Sequence, residues 1–141
     1  MLDTVFLAAQ GVQFAGWIAL FAAPWIGRRR AILTARLVAA LLALAYLAYF
    51  LSNAVHIPRD MGYSLAAIAA AFETRELLLA GWIHYLVLDL FTGSWEVEHA
   101  EAAGLRSGAL ALCLFLTMMA GPLGLLAYFA AAGLARRRRA P

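Results

Sequence analysis

This sequence predicts an all-α polytopic membrane protein, with four transmembrane helices and a short interfacial or half-inserted helix between the second and third. Three observations carry that expectation. Hydrophobic residues make up 65% of the chain and charged residues only 13%, against about 45–50% and about 25% in soluble domains. The apolar residues gather into runs of roughly the 20 residues that cross a bilayer. The basic residues, all arginine, bunch beside those runs as Arg28–Arg30 and Arg136–Arg139, where membrane proteins carry headgroup anchors. A soluble domain of this size buries only about two-thirds of its chain's surface, so composition excludes one. Arginines bunched at run ends likewise argue against a nucleic-acid partner, and membrane lipids are the expected neighbours.

The first span runs from about 4 to 26 and meets the Arg28–Arg30 triplet. Asp3 stands where a signal peptide has basic residues, and the run is too long for a signal core, so it reads as a retained helix. The second span, about 31 to 51, is rich in Ala and Leu and carries Arg36 near its start. A polar stretch with His56, Pro58, Arg59 and Asp60 follows. Residues 62–72 are apolar, but eleven helical residues cover only about 16 Å of a core about 30 Å thick. Ser64 is placed to cap that short helix. The third span, about 77 to 93, opens after Glu73 and Glu76, acidic groups suited to a helix N-terminus. An acidic loop from Glu96 to Ser107 leads to the fourth span, about 108 to 132, which contains Gly121-Pro122-Leu123-Gly124. A basic tail, 136–141, ends a single membrane domain of 1–141.

Four crossings set the two arginine clusters in conflict. Each marks its own side as cytoplasmic, yet an even number of spans puts them on opposite sides. The first helix usually dominates, which places both termini outside.

Polar groups inside a span usually face the protein interior. They are Gln10 and Gln13 in the first, Arg36 in the second, and His84 and Asp89 in the third; the fourth offers Thr117 and Cys113. Arg36 falls about 9 Å from the midplane and Asp89 about 6 Å, toward the same side. An Arg36–Asp89 ion pair is therefore expected, either as structural glue or as a held acid or base. His84 lies near the midplane, as an interhelical hydrogen-bonding group or a catalyst. It is turned about 140° from Asp89, whereas Trp82, Tyr85 and Asp89 share a face at i, i+3 and i+7. Glu96-x-x-His99 lacks the second copy that a di-iron site needs, and reads as part of a solvated loop. Cys113 reads as a packing residue. No phosphate loop, nucleophile elbow or zinc spacing is present, so no cofactor and no metal is expected.

Residues 81–95, Gly-Trp-Ile-His-Tyr-Leu-Val-Leu-Asp-Leu-Phe-Thr-Gly-Ser-Trp, and 121–128, Gly-Pro-Leu-Gly-Leu-Leu-Ala-Tyr, resemble the abscisic-acid-deficient-four-like family of small integral membrane proteins. The plant member is linked to neoxanthin synthesis, in which an epoxy-carotenoid becomes its allenic isomer. The resemblance implies a four-span layout and an isoprenoid ligand within the bilayer. Its matching positions are Trp82, His84, Tyr85, Asp89, Gly93, Trp95, Gly121, Pro122 and Gly124. It implies His84, Asp89 and Tyr85 as acid/base candidates, and Trp82, Trp95, Gly121, Pro122 and Gly124 as binding candidates; Arg36 joins the binding candidates as a charge inside the second span.

Three functions follow as expectations. The first is a redox-neutral acid/base isomerase or modifier of a carotenoid or other isoprenoid, since epoxide opening needs an acid at oxygen and a base at carbon. The second is a non-catalytic pigment-binding or scaffolding protein, acting with a second copy of itself or a partner membrane enzyme. The third is a proton-coupled carrier using His84 and Asp89. A bacterial inner membrane is the expected location.

Overall fold

The structure is a computed structural model and describes residues 1–53 and 64–138. The stretch around His56 and Pro58, the first two residues of the expected short helix, and Arg139 with the rest of the tail lie outside the described residues. Among the described residues every regular element is helical: α1 (Leu2–Phe21), α2 (Ala23–Ile26), α3 (Arg28–Ser52), α4 (Leu65–Glu73), α5 (Arg75–Ala103), α6 (Ser107–Met119) and α7 (Gly121–Arg137). Helices α1, α3 and α5 are long and apolar enough to cross a membrane, and the chain is an integral membrane protein.

The first expected span is α1 followed by the single turn of α2, which has proline in its first positions. Gly27, at φ 92°, then turns the chain into α3, a conformation that costs any residue with a Cβ. The expected cap forms at Ser64, whose Oγ accepts from the Ala67 backbone N–H at 3.2 Å. Helix α4 is nine residues long, about 14 Å.

Helix α5 corrects the expected boundary. It does not end near 93 but continues for 29 residues to Ala103, through most of the stretch expected as an acidic loop. The reason lies in its partners. Val97 and Ala100 are fully buried, Arg28 holds Glu101 at 2.7 Å, and Arg36 holds Glu98. Gly104, at φ 73°, ends the helix in the left-handed conformation.

The fourth expected span is also corrected. It divides at Ala120 (φ −157°, ψ 80°), and α7 runs back alongside α6. Gly124 lies flush against the backbone and hydroxyl of Thr117, seven residues earlier; in a continuous helix those residues would be about 10 Å apart. At the other end, Arg106 and Arg138 line one cavity. Pro122 lacks the N–H to continue α6, and Gly124 lets the two helices touch. Helix α6, with 13 residues, spans only about 20 Å.

This hairpin also gathers the arginines. Arg28–Arg30 start α3, Arg106 precedes α6, and Arg136–Arg138 end α7, all at one end of the bundle. The Arg28–Glu101 bridge and the Arg106–Arg138 cavity tie that end together. Asp3 and Arg75 pair at 3.1 Å at the opposite end.

Candidate functional site

One face of α5 carries the chemistry. Trp82, Tyr85, Asp89 and Glu96 recur at helical spacing (three, four and seven residues) and so lie in one row. The α6–α7 hairpin covers the second half of this row. Asp89 is 7% exposed and Glu96 is fully buried. Thr117 Oγ1 donates to Glu96 Oε1 at 2.7 Å, while Glu96 Oε2 meets no hydrogen-bond partner among the described residues. The Asp89 carboxylate presses on the Cα of Gly121, leaving no room for a Cβ there. Its position facing the first turn of α7 is electrostatically favourable.

Beyond the hairpin tip the row is open. Trp82 and Tyr85 are 39% and 42% exposed and stack with ring centroids 6.2 Å apart. Phe6 of α1 lies 5.9 Å from Trp82. Phe72 of α4 lies against Gly81, 3.0 Å from where a Cβ would stand. A cavity of about 210 Å³ runs between Phe72, Leu78, Gly81, Trp82 and Tyr85. Its walls are aromatic and aliphatic. Tyr85 and Asp89 are separated by one helical turn, about 6 Å between Cβ atoms, so the two residues are neighbours in the row where the open face meets the hairpin.

His84 faces elsewhere, as its 140° offset from Asp89 requires. Its ring lies 5.9 Å from that of Tyr46 on α3. It lines a separate groove of about 260 Å³ with Tyr46, Phe50, Phe72 and Leu77. The structure therefore brings Trp82, Tyr85, Asp89 and Gly121 together, with Pro122 beside them, and leaves His84 apart. Gly124 serves the hairpin by its contact with Thr117. Trp95 packs in the hairpin's flank, 5.3 Å from Tyr128 and 5.9 Å from Phe129.

Arg36 does not pair with Asp89. Its Nε donates to Ser94 Oγ at 3.3 Å and its other nitrogens to Glu98, with the guanidinium 5.7 Å from the centre of the Phe91 ring. The cause is register. Because α5 runs from 75 to 103, its midpoint is Asp89 rather than Tyr85. Arg36, four residues before the midpoint of α3, then faces the turn after Asp89 in the antiparallel helix.

Glu96 is the residue that sequence reasoning missed. Its seven-residue spacing from Asp89 and the apolar Val97 beside it were the available signals. Glu96 and His99 do not act together: His99 is exposed, its Nδ1 hydrogen-bonded to the Trp95 carbonyl at 2.9 Å. Among the described residues no three His, Cys, Asp or Glu side chains converge in a way that could hold a metal ion.

A family model described as ABA DEFICIENT 4-like matches residues 4–128. No curated protein and no solved structure matches the chain.

Proposed function

The chain belongs to the ABA DEFICIENT 4-like family, and on that footing we propose that it is a membrane isomerase or modifier of a carotenoid or other isoprenoid lipid. The observation that carries this reading is the Trp82–Tyr85 platform, open to the bilayer and ending at the Asp89 carboxyl. A flat polyene lies along stacked aromatic faces, and its polar end group meets Tyr85 and Asp89 under the hairpin tip. Opening an epoxide to an allenic alcohol breaks one C–O bond, adds a proton to the oxygen and removes one from a neighbouring carbon. It is redox-neutral, and an acid and a base positioned together suffice. Tyr85 and Asp89 are assigned that exchange.

In this reading α1, α3 and α5 cross the bilayer, and the α6–α7 hairpin enters from the basic end and returns to it. Arginine clusters mark the cytoplasmic side, so the basic end faces the cytoplasm, in a bacterial inner membrane.

The test is pigment analysis in a carotenoid-producing host. Asp89→Asn and Tyr85→Phe are each expected to lower product by about 10²–10⁴-fold while the protein still inserts. Full product from both would overturn the assignment. Loss on His84→Ala with full product from Asp89→Asn would move the chemistry to the Tyr46 groove.

The separation of His84 from Asp89 favours a second reading. Here the platform holds a pigment without changing it, and a second copy or a partner membrane enzyme completes the task. Recovery of a converted carotenoid from a host expressing this protein alone counts against it.

A further inference from the structure

The open end of the hairpin carries a groove that the reading above does not use. Between the start of α6 and the last turns of α7 lies a cavity of about 400 Å³, lined in part by Leu105, Arg106, Ala109, Ala131, Leu134 and Arg138. Its chemistry changes with depth. Arg106 and Arg138 stand at the mouth. Ala109 lies one turn deeper on α6, and Leu134 and Ala131 lie one and two turns deeper on α7. Leu105 is 9% exposed and Leu134 57%, so the groove has an apolar floor and an apolar wall open to lipid.

Among the described residues neither arginine is ion-paired with a carboxylate. Among the described residues, the carboxylates in ion pairs with arginine are Asp3, Glu98 and Glu101, held by Arg75, Arg36 and Arg28. Glu98 and Glu101 are thus already paired at the basic end, while Arg29, Arg30, Arg136 and Arg137 add further positive charge around it. A guanidinium pair over an apolar trough is complementary to one kind of molecule, an amphiphile with an anionic head.

We propose that this groove binds an anionic phospholipid, its phosphate held between Arg106 and Arg138 and an acyl chain lying along Ala109, Ala131 and Leu134. Guanidinium groups match phosphate oxygens in a planar, two-point geometry. A free phosphate ion fills the mouth but leaves the trough bare, and a zwitterionic lipid brings its own cation to the arginines.

Native mass spectrometry of the full chain released from detergent tests this. With phosphatidylglycerol, phosphatidylcholine of the same chain length, and inorganic phosphate offered in turn, one phosphatidylglycerol is expected to survive activation that strips the other two. Arg106→Gln with Arg138→Gln is expected to weaken its retention about 30-fold. Ala131→Trp, which fills the trough and leaves every charge in place, is expected to displace it as well. Arg29→Gln with Arg30→Gln removes the same charge outside the groove and is expected to leave the bound lipid. Equal retention of both lipids, full competition by phosphate, or equal loss in the two double variants would overturn the site.

Discussion

At the scale of single residues, the Glu96–Thr117 contact makes a sharp demand. A carboxyl group with no exposure and one hydrogen-bond donor depends on that donor. Thr117→Val keeps the shape and removes the hydroxyl, leaving both Glu96 oxygens unpartnered; a cost of about 1–3 kcal/mol is expected. Glu96→Gln keeps an oxygen to accept the same bond, and its cost is expected to be smaller. Thermal unfolding of both variants in one detergent checks the order, and an unchanged midpoint for Thr117→Val would show that the bond holds nothing. Residue-scale legibility was uneven for physical reasons. The shared face of Trp82, Tyr85 and Asp89 follows from helical spacing alone, and α5 is helical throughout that stretch. Glu96 stands near Glu98, His99 and Glu101, so local composition resembles a solvated loop. Only α6, across the bundle, reveals which of these polar groups turns inward.

At the scale of elements, glycines set how closely helices approach. A Cβ at Gly121 would run into Asp89, and one at Gly124 into the Thr117 backbone. Gly133 lies on the same helix with nothing among the described residues within 4 Å of its would-be Cβ. Gly121→Ala and Gly124→Ala are each expected to destabilise by about 1–3 kcal/mol, whereas Gly133→Ala is expected to add about 0.5–1 kcal/mol of stability. Unfolding midpoints of the three variants provide the comparison; equal effects would mean the hairpin is not closely packed. Sequence legibility stops at this scale for a definable reason. The Gly-Pro run announces that a helix breaks, because a missing donor is a local fact. The direction in which the chain leaves is decided by Gly124 meeting Thr117, a contact no local pattern encodes. The same limit applies to the end of α5, where Arg28 and Arg36, distant in sequence, hold the acidic residues that made the segment look like a loop.

At the scale of the molecule, the three long helices were legible from composition and run length, while the doubling back of the chain at Ala120 was not. The proposed topology, with three crossings and a hairpin, accommodates both arginine clusters, because two cytoplasmic markers fit an odd number of crossings. Single-cysteine variants on a Cys113→Ser background test it. Thiol labels are expected to reach Arg30→Cys and Arg137→Cys from one side of the membrane and Asp3→Cys from the other. Labelling of positions 30 and 137 from opposite sides would exclude the hairpin. One consequence of that hairpin concerns measurement. Its tip stops at Asp89, and the same row of α5 is covered up to that point and bare at Tyr85 and Trp82 beyond it. The 13 residues of α6 are therefore a depth gauge, setting how far from the basic face the bare stretch begins. Adding one helical turn to α6 would slide the gauge about 5 Å along α5 and cover Tyr85, changing no residue of the row itself.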